Sequence, residues 1–321
     1  MKGGERIFVA GHAGLVGAAI VRRLEAEGRT VITAPRRSLD LTDQDAVRRF
    51  LAHERPDAVV LAAARVGGIL ANTTFPAEFI ADNLRIGGNV IIGAHEAGID
   101  RLVHIASSAI YPREAPQPIT EDRLLTGPLD PTHEAYAIAK IAGIKLCESH
   151  NRQYGTDYRS LVPTNLYGPG DNFAVDHAHV VPALVRRFYE AARDRRDEVV
   201  IWGSGLPRRE ILHVDDMADA ALFVLDLPPE SWRAHKGVAD HVNVGLGSDI
   251  AIADIARMIA DATGFSGRIT LDASRPDGVM RRLLDISRLG AMGWRAQIDP
   301  ARGLTDTCAW YRDHAGHVRG A

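Results

Sequence analysis

Cysteine is scarce in this sequence. Two residues in 321, Cys147 and Cys308, lie far apart and in no metal-ligand spacing. A disulfide framework and a metal cluster are therefore not expected, and a reducing cytoplasmic setting is. Excess charge is lacking too: 38 Lys and Arg against 41 Asp and Glu leave a net −3. Neither nucleic acid nor a membrane surface is an expected partner. No apolar run approaches the roughly 20 residues that span a bilayer. The opening stretch MKGGERIFVAGHAG has no apolar core or cleavage site of an export signal, so none is expected. Internal repeats and low-complexity linkers are absent, so the chain is expected to pack as one unit.

What is present is an ordinary globular composition, 46% hydrophobic and 25% charged, in a chain long enough for one large domain with a smaller partner. Residues 6–11, RIFVAG, form a short apolar run ending in Gly, which suits a buried parallel strand. A helical pattern over 15–28 ends at Gly28. Strands at 30–34, 57–64 and 101–108 alternate with helices at 43–54 and 80–98. A helix over 134–155 and a strand from 157 toward a Pro- and Gly-rich loop at 170 complete the series. This alternation predicts an α/β fold with a doubly wound parallel Rossmann sheet. After residue 170 the rhythm changes. A helix at 179–196, short strands at 198–205, 241–247 and 268–274, and helices at 213–226 and 253–264 predict a smaller mixed α/β domain. The boundary is drawn at 1–170 for the nucleotide-binding domain and 171–321 for a mainly substrate-binding one, with later segments free to return to the first. The pair Asp215–Asp216 is expected to cap the helix at 213–226.

The stretch VAGHAGLVG places Gly11, Gly14 and Gly17 between a strand and a helix, with His12, Ala13, Leu15 and Val16 between them. The spacing G-x-x-G-x-x-G is one residue longer in its first gap than the usual dinucleotide fingerprint. The physics is the same: a tight turn, close backbone approach to a pyrophosphate, and close helix–strand packing. The end of the second strand reads VITAPRRS. It lacks the acidic residue that would bind the 2′-hydroxyl of NAD, and offers Arg36 and Arg37, which suit the 2′-phosphate of NADP(H). Asp40 and Leu41 follow, placed to border the adenine.

Tyr136 and Lys140 stand at i and i+4, so a helix puts both on one face. A free tyrosine has a pKa near 10, and a neighbouring ammonium is expected to lower it. Ser107 and Ser108 close the fourth strand, at the sheet edge where open α/β folds bind ligands. Glycine turn, serines and Y-x-x-x-K in this order point to hydride-transfer chemistry on a carbonyl.

On these motifs, and on AAARVGGILAN (62–72), EAYAIAKIAGIKLCES (134–149), PTNLYGPGDNF (163–173), HVVPALVRRF (179–188), VIWGSGLPRREILHVDDMA (200–218) and DASRPDG (272–278), the chain resembles the extended short-chain dehydrogenase/reductase family. The similarity runs from about residue 6 to about 312. Within the family the match is close to enzymes that epimerise a GDP-4-keto-6-deoxy sugar at C3 and C5 and reduce it at C4. The resemblance implies that Tyr136 protonates O4, Lys140 tunes Tyr136 and holds the nicotinamide ribose, and Ser107 polarises the ketone. It implies that His179 is the acid of epimerisation and also borders the cofactor. Ala106, Ser108, Pro163, Thr164, Asn165 and Leu166 would line the cofactor cleft, and Arg187, Trp202, Arg209 and Asp277 would hold the GDP-sugar. It also implies a homodimer formed through the long helices of the sheet domain.

One position departs. The family motif is S-S-C-I-Y-P, and its cysteine is the base of epimerisation. Here the stretch reads SSAIYP, with Ala109 in that slot. A methyl group takes no proton, so epimerisation is expected to suffer and reduction to survive. Three explanations stand: a Cys→Ala replacement in an otherwise competent enzyme, a natural 4-reductase without epimerase activity, or another base such as His179 or an unidentified side chain. A non-catalytic NADP-sensing protein is the alternative from another class, opposed by the presence of Tyr136 and Lys140.

Overall fold

The computed structural model describes residues 4–174, 178–235, 237, 239–274, 277 and 279–316. Six parallel strands form the main sheet in the order His241–Val244, Asp157–Pro163, Arg101–Ile105, Ala58–Leu61, Arg6–Ala10, Thr30–Ile32. Their apolar runs are continuous because both faces are covered. Ile7, Val9, Val60 and Val103 pack against helices Leu15–Ala26 and Val214–Asp226. Phe8, Val59, Leu61 and Leu102 face the other layer, which includes Val47, Leu51, Val90 and Ile91. That layer is built from helices Gln44–Glu54, Pro76–Glu96 and Glu134–Tyr154. The expected doubly wound sheet is what forms.

The second half of the chain is shared between two bodies. Helix Val214–Asp226 and strand His241–Val244 return to the large sheet. Helices Val180–Arg193, Ile252–Thr263 and Pro300–His314 enclose a separate core of Val181, Leu184, Phe188, Ile255, Ile259 and Leu304. Strands Glu198–Trp202 and Arg268–Asp272 pair beside it. Asp215 and Asp216 do not cap their helix. His213 does, its ring nitrogen accepting the Asp215 N–H at 3.2 Å. Asp216 instead accepts the N–H groups of Gln297 and Ile298.

From the first strand the chain runs outward to Thr30–Ile32 and then crosses back to Ala58–Leu61, so the connections diverge at the carboxyl ends of Arg6–Ala10 and Ala58–Leu61. In open α/β sheets this divergence opens a crevice for ligands.

Candidate active site

A cavity of about 680 Å³ occupies that crevice. One wall is the glycine turn. Gly11 has φ +91°, and a Cβ there would lie 2.6 Å from the backbone nitrogen of Ala63. Only glycine lets the turn cross so close to the end of the neighbouring strand. A Cβ at Gly17 would lie 2.1 Å from the Gly11 carbonyl, so this glycine seats the helix on the turn. Gly14 is the N-cap of helix Leu15–Ala26 and has no side chain to block its first N–H groups. The cradle fits a dinucleotide pyrophosphate at a helix N-terminus. His12, Ala13, Leu15 and Val16 line it, while Gly17 lies behind it.

Arg36, Asp40 and Leu41 line the far end of the cavity, whereas Arg37 is not among its walls. The Arg36 side chain is 82% exposed and lies 3.7 Å from the Asp40 carboxylate. Asp40 accepts the N–H and hydroxyl of Thr42, and these bonds, with Arg36, hold its carboxyl below the usual range. Arg65, in the stretch AAARVGG, also lines the cavity and pairs with Asp82 at 2.8 Å.

At the other end stand Ala106, Ser107, Ser108, Tyr136 and Lys140, with Pro163, Thr164, Asn165, Leu166 and His179 opposite. The strand–helix arrangement brings the three central groups together. Lys140 reaches through the fold and donates from Nζ to the Ile105 carbonyl at 2.8 Å. Its Nζ is 5.9 Å from the Tyr136 ring centre. Ser107 accepts the Ala109 N–H at 3.3 Å and hydrogen-bonds Tyr136. The expected lowering of the tyrosine is not found. Burial pushes Tyr136 up to about 12, against the opposing effect of Ser107. Burial likewise pushes Lys140 down to about 8, because a cation is poorly solvated there. His179 keeps an exposed face, yet burial and then the charge of His133 lower its pKa.

Ala109 lies in a short helical turn, Ser108–Ile110, half-buried and outside the cavity walls. Neither cysteine replaces its missing thiol. Cys147 and Cys308 are buried in the cores, and burial pushes both up to about 12.

The four residues assigned to the sugar nucleotide stand apart from the cavity walls. Arg187 donates to the Val200 carbonyl at 2.8 Å. Arg209 donates to the carbonyls of Arg208 and Val279. Trp202 is 62% exposed at the end of its strand. Asp277 accepts the N–H and hydroxyl of Ser204, closing the turn that carries Gly203.

Three residues that sequence reasoning did not single out join these groups. Arg282 is the register partner of Arg209 and donates to the Ser108 carbonyl at 3.2 Å. Burial lowers the pKa of both arginines. Glu210 is fully buried. Its carboxylate accepts the N–H groups of Gly247 at 2.7 Å and Leu284 at 3.0 Å. Its carbonyl accepts from Thr164 and Asn165. His133 precedes the helix that carries Tyr136. A Gly-x-x-Gly or Y-x-x-x-K motif announces itself by spacing, whereas these three act through contacts made between distant segments or through a neighbour's hydroxyl.

Residues 7–245 match the model of the NAD dependent epimerase/dehydratase family. The chain is 51% identical to the GDP-L-fucose synthase of Escherichia coli K12, over 98% of this chain and 99% of that one. Among solved structures, the GDP-mannoheptose C4 reductase MlghC of Campylobacter jejuni, with NADP bound, is 34% identical. It covers 97% of this chain and 99% of its own, with a TM-score of 0.90. A GDP-L-fucose synthetase of Naegleria fowleri bound to NADP is 26% identical, covering 99% of this chain and 96% of its own, with a TM-score of 0.88. Glycine cradle, Tyr–Lys helix and whole-chain similarity agree: this chain belongs to the NAD dependent epimerase/dehydratase family, enzymes of the extended short-chain dehydrogenase/reductase type.

Proposed function

We propose that this enzyme converts GDP-4-keto-6-deoxy-D-mannose to GDP-L-fucose with NADPH, and that epimerisation is its weaker half-reaction. The observation that carries the reading is the convergence of Ser107, Tyr136 and Lys140 at the end of the dinucleotide cradle. NADPH, when bound, supplies the hydride. Arg36 favours its 2′-phosphate, and Lys140 holds its ribose. Ser107 and Tyr136 hydrogen-bond the C4 oxygen, and Tyr136 gives it a proton. With burial raising its pKa to about 12, Tyr136 is held as an acid, the form required in this direction. Arg187, Arg209, Trp202 and Asp277 hold the GDP portion, the arginines offering charge to the diphosphate.

Ala109 favours a second reading, reduction at C4 without epimerisation, and a C4 reductase stands among the relatives. Supplying GDP-4-keto-6-deoxy-D-mannose and NADPH separates the two. Absorbance at the nicotinamide band follows reduction, and NMR of the product reads the configuration at C3 and C5. An L-configured product supports the first reading and a D-configured product the second. No NADPH oxidation with this ketone overturns both.

We also propose a homodimer through helices Pro76–Glu96 and Glu134–Tyr154. These pack side by side and expose Leu84, Ile138 and Tyr154. Sedimentation at micromolar concentration tests it, and a monomer overturns it. Among the described residues no helix is long and apolar enough to cross a membrane. Two buried free thiols accord with a cytoplasmic setting.

A further inference from the structure

We propose that His104 is a positioning residue for hydride transfer: its buried ring is the seat on which the helix carrying Tyr136 and Lys140 rests. The inference builds on the reading above, in which these two side chains serve the C4 ketone and the nicotinamide ribose. Strand Arg101–Ile105 lies inside the sheet, bonded on one side to Asp157–Pro163 and on the other to Ala58–Leu61. Its side chains alternate between the two faces. Leu102 packs in the same core as Cys147 of helix Glu134–Tyr154, so His104, two residues on, points toward that helix. His104 is 2% exposed.

The helix meets the strand along one stripe. Tyr136, Lys140, Gly143 and Cys147 recur at helical spacing and share a face, and the last three are buried. Two of them touch consecutive residues of the strand. Lys140 Nζ donates to the Ile105 carbonyl at 2.8 Å. One turn further on, Gly143 stands over His104. A Cβ at Gly143 would lie 2.6 Å from His104 Cε1 and 2.9 Å from Nε2. The helix backbone therefore rests directly on the imidazole, with no room for a side chain between them.

The ring cannot move aside to make that room. Ser160, its register partner on the next strand, places Oγ 3.5 Å from Nδ1. Ser160 also hydrogen-bonds Cys147, one turn beyond Gly143, so strand and helix close around the ring together. Burial, and then the charge of Lys140, hold the ring well below its usual pKa, so no second cation stands beneath Lys140. A single helical turn is stiff, and Lys140 lies only about 4.5 Å along the axis from Gly143. Whatever lifts Gly143 off the ring also draws Lys140 away from the Ile105 carbonyl and tilts Tyr136. The height of the ring thus fixes where both groups stand.

The test uses the intact enzyme and exchanges the two members of the contact. NADPH oxidation with GDP-4-keto-6-deoxy-D-mannose gives kcat, and NADPH fluorescence on titration gives cofactor affinity without any sugar. Circular dichroism with a cooperative melt shows that each variant is folded. Gly143→Ala should lower kcat by about 10²-fold, the cost of a displacement near 1 Å, and weaken NADPH by about tenfold. Adding His104→Ala to that chain removes the obstacle and should bring both values back to within about tenfold of the parent, a coupling expected only of residues in contact. A merely structural contact would lower Tm and leave kcat and NADPH affinity alone. Parent values in folded Gly143→Ala overturn the inference, and so does a folded double variant that recovers neither value. If Gly143→Ala alone does not fold, the double variant decides by the same criterion, with His104→Ser as the second partner. No NADPH oxidation by the unaltered chain overturns the substrate reading, and the NADPH titrations then decide the role of His104 by themselves.

Discussion

The hydride-transfer groups and the residues proposed for the sugar nucleotide hold their polar atoms differently. On the hydride side each group has a protein partner before any ligand arrives. Lys140 is tied to the Ile105 carbonyl, and Ser107 to the Ala109 N–H and to Tyr136. On the sugar-nucleotide side the hydrogen bonds found for Arg187, Arg209 and Arg282 go to backbone carbonyls. A carbonyl orients a guanidinium without cancelling its charge. One side is therefore geometrically preorganised, and the other, under the proposed assignment, keeps cations for an anionic partner. Chemistry that needs an atom placed within hydrogen-bond reach belongs to the first, and binding a diphosphate to the second.

The sharpest way to break this contrast is Tyr136→Phe. It removes the proton donor and leaves the arginines alone. NADPH oxidation should fall by about 10²–10⁴-fold, while equilibrium binding of GDP stays near the parent value. A matching loss of GDP affinity would mean the two sides are not separable. Next in size is Ala109→Cys. A thiolate in that slot should raise deuterium exchange at C3 and C5 by up to about 10²-fold, within the range for a general base. No rise would mean that position 109 does not face the reacting carbons.

The preorganised side was also the legible one. Gly11 and Gly17 are needed because backbone passes within a Cβ's reach, and such demands mark the sequence at short range. The helix carrying Tyr136 and Lys140 announces itself by a four-residue spacing. The alternating apolar runs gave the sheet, since both faces of each strand are covered. The return of Val214–Asp226 and His241–Val244 to that sheet was harder to read. A strand that joins the edge beside Asp157–Pro163 is no more apolar than one in a separate domain. Glu210 and Arg282 were missed for a related reason. An acid or an arginine reads as solvated surface until a distant segment buries it.

Burial of the hydride side has a thermodynamic consequence. Lys140 is depressed to about 8 in the folded chain, whereas an unfolded lysine titrates near 10.4. Between these values the unfolded chain binds the extra proton, so stability rises with pH across that window. Below pH 8 both states hold the proton, and the full penalty of about 3 kcal/mol applies. Tyr136 acts oppositely only above pH 10, where the unfolded phenol ionises and the folded one does not. Melting curves of the parent chain and Lys140→Met from pH 7.5 to 9.5 check this. The parent should gain stability relative to the variant as pH rises. Parallel curves would mean that Lys140 is not desolvated.

Glu210 joins the two sides, so changing it tests whether they are coupled. Its carboxylate faces two N–H donors, and its carbonyl holds Thr164 and Asn165 on the cofactor wall. Glu210→Gln turns one oxygen into a donor aimed at a donor. The expected loss is about 1–3 kcal/mol of stability, read as a lower Tm, with KM rising for both NADPH and the GDP-sugar. A rise in only one KM would show that the residue serves one side.

The smallest effect lies at the rim. Arg36 is mostly exposed, and its only close carboxylate among the described residues, Asp40, is 3.7 Å away and already engaged with Thr42. An exposed pair of that kind contributes little by itself, so Arg36 is free to turn toward a 2′-phosphate. Water competes for the same contact, and the gain is correspondingly small. Arg36→Ala should lower the preference for NADPH over NADH by about tenfold, or ~1.4 kcal/mol. The change should appear in KM for NADPH with kcat retained, because Arg36 stands at the opposite end of the cavity from Tyr136. An equal loss with both cofactors would mean that Arg36 shapes the adenine pocket instead of reading the phosphate. Salt sharpens the test: a phosphate contact at an exposed arginine weakens as ionic strength rises, while a shape effect does not.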